Sequence, residues 1–406
     1  MMTAAQEIGG LPLARSVLEG LAPSGGRGGR ALRLNRLFQR LRLDSLDALA
    51  EGKLATPAGP SEQQLLAALG EAGVPGDDDL LSLCDRLGAH RAARPDAHFP
   101  DASFLPQDAL EVALRIVDAA DAARPFSLVR LGDGEGAMLP YRSELQAFQP
   151  TDLAENSKTW WGTNSSPTPQ LAEELELAIR AADVIGIPDL DRATRVFYQT
   201  ERTAHLANGR NMRGLLAVTD FVAANCADAV WTTCHIHQSL AFWGLWDIIL
   251  PRLGSVDLIT CHGQLGDALS RQHGLAIGRT HHIPPERKYA AAFAEVDTEA
   301  HFPDVFDRLR DVLPIAARGR TVLVSAGMLG KIYCHWIQQA GGVAIDIGSA
   351  ADHWCGYGTR GIADVAIYRS PSGTAERVRA LISSHPRYAT LLPPAVTPNR
   401  VGGARA

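Results

Sequence analysis

The sequence predicts an α/β protein, a mostly parallel sheet flanked by helices, with a helical region at its N-terminal end. Three observations carry this. From about residue 105, short apolar runs that end in Gly or Pro alternate with stretches of helical periodicity, the pattern of crossover units on a parallel sheet. Residues 1–95 show only short amphipathic helical patterns. Between the two, "RAARPDAHFPDASFLP" carries three prolines and mixed polarity, and reads as a linker. The expected organisation is therefore a helical region over 1–95, a linker over 96–106, an α/β domain over 107–390 and a tail over 391–406.

In the N-terminal region, Leu34, Leu37 and Leu41 recur at helical spacing, and "SEQQLLAALGEAG" and "DDDLLSLCDRLGAH" repeat amphipathic patterns behind Ser and Asp caps. Arg30, Arg33, Arg36 and Arg40 form a basic stripe, either a solvated face or a surface for an acidic partner or a lipid layer. With no catalytic pair of its own, this region is expected to recruit a partner or acceptor. In the α/β region the expected strands are "FSLVRLG", "DVIGIP", "DAVWTTC", "VDLITC", "LAIGRTHHIP", "RTVLVSAG", "GVAIDIG" and "VAIYR". The expected helices include "PQLAEELELAIRAA", "SLAFWGLWDIIL" and "GKIYCHWIQQAGG".

A chain of 406 residues has room for two or three domains, and 46% hydrophobic with 21% charged residues is ordinary for a soluble globular protein. A net charge of -6 gives no general attraction to nucleic acid or to an anionic membrane, so an anionic ligand must be held locally. The six cysteines form no CxxC pair, which argues against a disulfide framework or a zinc ribbon and for reduced thiols. The N-terminus lacks the basic start and apolar core of a signal peptide, and no run approaches the ~18 apolar residues of a membrane span. The expected location is the cytoplasm.

Two constellations carry chemistry. The run "FSLVRLGDGEG" ends in two carboxylates among three glycines. A surface turn has the same composition. If instead the chain stays extended past Leu131, Asp133 and Glu135 point to one side, and Gly132, Gly134 and Gly136 leave the backbone open to a large anionic group. Two convergent carboxylates suit Mg²⁺ or Mn²⁺, ions that also hold substrate phosphates. The second is "TVLVSAGMLGKIYCHWIQQAGG", a strand, a turn and a helix whose Ile332, Tyr333, Trp336, Ile337 and Ala340 share one face. Lys331 falls off that face, at the helix start, where backbone N–H groups favour anions. In the next strand Val343, Ile345 and Ile347 line one side and Ala344, Asp346 and Gly348 the other. A carboxylate at the end of an apolar strand needs a partner or a task. Asp352 and His353 follow in the loop where reacting groups gather.

"LVRLGDGE", together with "SAGMLGKIYCHWIQQAGGVAIDIGSAADHW", resembles the GT-D-fold glycosyltransferases, bacterial enzymes that use sugar nucleotides. The likeness spans roughly 105 to 370 and implies a Rossmann-like sheet of the GT-D type. It also implies metal-assisted transfer of a sugar from a nucleotide diphosphate donor, with Asp133 and Glu135 as an Asp-x-Glu pair holding Mn²⁺ or Mg²⁺. A UDP-sugar is the first donor to consider, and the acceptor is a glycan, a lipid-linked sugar or a protein. The match is looser between the motifs, where Lys288 and Tyr289 stand in place of an Asn-Ala ending. The substrate-binding candidates are Arg130, Gly132, Gly134, Lys331, Ser349 and His353. An inverting reaction requires a base for the acceptor hydroxyl, for which Asp352 comes first and Asp346 second.

Two other classes stay open at this point. Cys234, His235, His237, Cys261, His262, His281 and His282 lie in strand-exit segments and could form a transition-metal site of a hydrolase, although no HExxH or CxxC spacing is present. A non-catalytic module that binds nucleotide-sugars is the other. Trp160, Trp161 and Trp243 are either stacking platforms for a ring or core.

Overall fold

The computed structural model describes residues 106–139, 168–188, 205–287, 299–357 and 372–392, with Leu153, Ser157, Trp160 and Trp161. The helices expected over 1–95, nearly all of the linker, the "VAIYR" strand, Lys288, Tyr289 and most of the tail lie outside these residues.

Seven strands are described: β1 (Phe126–Arg130), β2 (Val184–Ile187), β3 (Val230–Thr233), β4 (Ser255–Thr260), β5 (Ala276–His282), β6 (Thr321–Ser325) and β7 (Val343–Asp346). They form one sheet in the order β3-β2-β1-β7-β6-β4-β5. Every pairing is parallel. The helices are α1 (Pro106–Asp121), α2 (Asp133–Met138), α3 (Pro169–Ala181), α4 (His205–Asn225), α5 (Ile236–Phe242), α6 (Trp246–Arg252), α7 (Leu265–His273), α8 (Phe306–Ala316), α9 (Leu329–Gln339), α10 (Ala350–Trp354) and α11 (Thr374–Ser384). Among the described residues, no helix is long and apolar enough to cross a membrane.

Helices cover both faces, so the central strands are apolar on both sides. Val129, Leu131 and Ala344 join a core with residues of α3, α4, α8 and α9. Phe126, Leu128, Val343, Ile345 and Ile347 join a second core with residues of α1, α5, α6, α7, α10 and α11. The two-residue period of a strand puts these two sets on opposite faces. The split expected along "GVAIDIG" is therefore the observed one.

Two sequence expectations change. "SLAFWGLWDIIL" is two helices, because the chain turns at Gly244 with φ +68, a left-handed conformation that suits glycine. The chain past Leu131 does not stay extended. It enters α2 at Asp133, directly after β1.

The topology fixes where a ligand would sit. The chain leaves β1 toward the face of α2 and α3, and leaves β7 toward the opposite face, that of α10. Neighbouring parallel strands whose exits diverge leave a crevice at their carboxyl ends. Both sequence constellations end there.

Candidate active site at the β1 and β7 strand exits

Asp346, the last residue of β7, is 3% exposed and lies between two cations. Arg130, the last residue of β1, places Nη2 3.2 Å from Asp346 Oδ1, and its Nε donates to the Asp346 carbonyl. Lys331 Nζ, from the first turn of α9, lies 3.1 Å from Asp346 Oδ2 and 2.9 Å from Glu135 Oε1, and donates to the Gly327 carbonyl. Two cations and two anions thus form a charge-balanced quartet. Burial alone would neutralise Asp346, but Arg130 and Lys331 outweigh it and hold its carboxyl below the ordinary aspartate value. Burial would likewise depress the Lys331 ammonium, and Asp346 and Glu135 instead hold it above the usual lysine value.

This burial corrects one expectation. Helical spacing puts Lys331 off the buried face of its helix, yet it is 3% exposed, with Leu329, Gly330, Ile332, Tyr333 and Cys334 buried around it. The first turn of α9 is covered on all sides, because Glu135 and Asp346 compensate the charge that would otherwise keep the lysine in water.

The Gly-Asp-Gly-Glu-Gly turn also differs from an open phosphate cradle. In a helix, residues two apart point about 200° away from each other around the axis, so Asp133 and Glu135 do not share a side. Glu135 turns back to accept the Gly132 N–H at 2.8 Å, while its other oxygen faces Lys331. The glycines answer to packing. A Cβ on Gly134 would lie 2.4 Å from the Trp160 ring, and one on Gly136 would lie 1.8 Å from the Gly214 carbonyl of α4. At Gly132 the nearest such contact is an ordinary 3.4 Å, to Glu135 Oε2.

Across the crevice, Arg130 Nη1 donates to the Cys234 carbonyl and lies 2.9 Å from His237 Nδ1. His237 Nε2 is 3.0 Å from the Ser349 Oγ that heads α10. Gly348 must be glycine. Its φ is +46, its N–H donates to Asp346 Oδ1, and a Cβ would meet Arg130 Nη2 at 1.8 Å. Ser325 at the end of β6 donates to the Gly348 carbonyl. Farther along this rim, Asp352 on α10 pairs with His262, Nε2 to Oδ1 at 2.7 Å. His353 is half-buried beside it on the same helix.

Two of the predicted residues therefore acquire partners that sequence reasoning missed. His237 and His262 drew notice only as possible metal ligands. Their signal was position, since each sits two to four residues past a strand end. Each is used separately, His237 with Arg130 and Ser349, His262 with Asp352 and, by stacking at 5.3 Å, Tyr357. Among the described residues, no group of three or more His, Cys, Asp or Glu is arranged to hold a metal ion. Trp243 is fully buried and Trp161 packs against Phe302, which makes both of them core.

For Mn²⁺ or Mg²⁺, the two carboxylates of the expected pair differ. Glu135 meets a cation already, the Lys331 ammonium, and its second oxygen caps α2. Asp133, the other carboxylate of the pair, is half-buried at the first position of α2.

Comparison with known proteins bears on this arrangement. No curated protein matches the chain. A solved structure described as "the highly conserved domain of unknown function 1792" with "a distinct glycosyltransferase fold" is 18% identical, over 61% of this chain and 81% of its own, with a TM-score of 0.36. A selenomethionine-substituted structure of the domain of unknown function 1792 is 17% identical over the same shares, also at 0.36. Residues 107–219, which run from α1 through the Gly-Asp-Gly-Glu turn into α4, match the model of the GT-D fold-like domain. The chain thus carries a GT-D fold-like domain, and the turn that resembled that family in the sequence lies inside it.

Proposed function

We propose that this protein is a glycosyltransferase that moves a sugar from a nucleotide diphosphate donor, a UDP-sugar first among candidates, to a hydroxyl of a glycan, lipid-linked or protein acceptor. The observation that carries the reading is the convergence of the two motifs. Arg130 and Asp346, 216 positions apart, meet at the β1 and β7 exits, within the crevice where open α/β sheets bind ligands.

The chemistry follows from the groups present. The acceptor oxygen forms a bond to the anomeric carbon of the donor. The bond from that carbon to the diphosphate oxygen breaks, and its electron pair leaves with the nucleoside diphosphate. Asp346 and Glu135 offset the charges of Arg130 and Lys331, so the quartet would act on the departing anion as fixed, preorganised dipoles and not as a net positive field. Asp133 would hold the divalent ion, whose contribution when bound is to offset charge on the β-phosphate. Asp352 takes the acceptor proton in an inverting reaction. Asp346 suits that task less, since two cations stabilise its ionised form and weaken it as a base. Ser349, bonded to His237 at the head of α10, and His353 on the same helix are the polar groups nearest to Asp352 along the chain.

The test is a panel of UDP-, GDP- and dTDP-sugars with Mn²⁺, scored by thermal shift and by release of free nucleoside diphosphate. A stabilising shift with at least one donor, and release that a chelator abolishes and Mn²⁺ restores, is expected. No shift and no release across the panel overturns the reading.

A further inference from the structure

His262 follows β4, and its backbone N–H donates to Thr260 Oγ1 at 3.1 Å, which fixes the start of the loop. Its side chain is 2% exposed, against 15% for the Asp352 side chain it pairs with. The imidazole lies nearly parallel to Tyr357, at an interplanar angle of 20°. The Tyr357 N–H donates to the Asp352 carbonyl, and Gln264 Nε2 donates to the Cys355 carbonyl. The exits of β4 and β7, on strands separated by β6, are thereby tied together with the His262–Asp352 contact at the centre.

Burial decides the roles in this pair. The imidazole is enclosed and does not reach an acceptor, while the carboxylate is the member that meets solvent. We infer that His262 is a positioning residue for Asp352, donating its Nε2 proton to Oδ1 so that Oδ2 is aimed at the acceptor hydroxyl. This rests on the reading of Asp352 as the base. In the step itself the acceptor O–H bond breaks, the proton moves to Asp352 Oδ2, and the acceptor oxygen bonds to the anomeric carbon as the diphosphate leaves. His262 keeps its proton throughout. An enclosed donor holds one carboxylate rotamer, which is what a proton acceptor of fixed geometry requires.

The test separates donation from ring packing. His262→Phe keeps a ring against Tyr357 and removes the donor, whereas His262→Gln loses the ring and carries an amide N–H near the Nε2 position. With the full chain and the donor found in the sugar-nucleotide panel, His262→Phe is expected to lower transfer about 10- to 100-fold with donor Kd unchanged. His262→Gln is expected to recover most of that loss. If the Phe variant does not fold, His262→Asn, whose shorter amide falls short of Nε2, replaces it with the same expectation. Near-normal transfer by the donor-less variant, in a protein where Asp352→Asn is inactive, overturns the inference and leaves the base intact. Normal transfer by Asp352→Asn instead overturns the base, and the positioning role with it. A readout independent of turnover is the long-range ¹H–¹⁵N spectrum of the histidine-labelled chain, with His262 assigned by its variants. A proton on Nε2 is expected, and a bare Nε2 overturns the pairing whatever the activity.

Discussion

Asp346 and Asp352 follow one another at the same strand exit, and their surroundings are opposite. Asp346 ends β7 inside the sheet, between Arg130 and Lys331, with 3% of its side chain exposed. Asp352 sits on the rim, in the first turn of α10, against one buried imidazole and partly open to solvent. The difference teaches what a buried carboxylate can be asked to do. Two cations that make ionisation easy also make the group a poor proton acceptor and a strong cross-link, so the deeper aspartate holds the crevice together. On the proposed reading, the shallower one is the base.

Breaking the deeper site is expected to have the largest effect on stability. Asp346→Ala leaves Arg130 and Lys331 facing each other with Glu135 alone, and loss of one partner from a buried ionic network costs about 3–5 kcal/mol. Thermal melting should fall by roughly 4–8 °C. The pH dependence has a defined sign. The Asp346 carboxyl lies below its unfolded value, so its contribution is complete above the ordinary aspartate pKa and is lost as pH falls through the folded one. Lys331 is raised, so its contribution is present below the ordinary lysine pKa and is lost as pH rises through the folded value. Wild-type stability should therefore be flat between those limits with respect to the quartet. An Asp346→Asn protein that loses stability in acid as steeply as wild type would contradict the assignment.

The next effect concerns the helix that carries Glu135. Gly136→Ala would drive a methyl into the Gly214 carbonyl, so α2 must lift from α4, at a cost of about 1–3 kcal/mol. Gly132→Ala meets nothing closer than 3.4 Å, at an extended backbone position, and should melt close to wild type. Equal melting temperatures for the two alanine variants would show that the helices do not approach as described.

The pair expected to bind a metal can itself be split. Glu135→Gln removes a charged partner from Lys331 and should cost about 2 kcal/mol. Asp133→Asn is expected to abolish the extra stabilisation that Mn²⁺ gives in the presence of donor. Undiminished Mn²⁺ stabilisation in Asp133→Asn, read by differential scanning calorimetry, would remove Asp133 from that role.

Much of this site was legible in the sequence, and the failures share one cause. The seven described strands fall where the apolar runs place them, in the central strands because burial between two helix layers demands such runs, whereas the edge strand β5 is mostly exposed. Asp346 was visible as a carboxylate in need of a partner, and Arg130 and Lys331 are those partners. What could not be read was which groups meet across long separations. Helical periodicity counts Lys331 as polar and assigns it to solvent, since the carboxylates that bury it come from other strand exits. The extended reading of Gly-Asp-Gly-Glu differs from the structure because the chain turns helical at Asp133, with Glu135 capping the Gly132 N–H and Gly136 packed closely on Gly214 of α4. His262 entered only the rival metal-site reading, which lacked HExxH or CxxC spacing, and its role was hidden for the same reason. Its partner lies 90 positions away.

The smallest effect on stability, and the sharpest on rate, is expected at the rim. Asp352→Asn keeps the shape of the side chain and retains an oxygen that can accept from His262 Nε2, so melting should stay within about 0.5 kcal/mol of wild type. Transfer should fall roughly 10²- to 10⁴-fold, the usual contribution of a general base, with donor affinity unchanged because a base acts on the acceptor proton in the transition state. Lys331→Met supplies the contrast. It removes one cation of the quartet, so melting temperature, donor affinity and turnover should all fall together. Calorimetric titration of donor into both variants with Mn²⁺ present, beside single-turnover transfer rates, separates the two behaviours. Loss of donor affinity in Asp352→Asn equal to that in Lys331→Met would place Asp352 with the groups that hold the donor, and the division between a structural aspartate and a reacting one would fail.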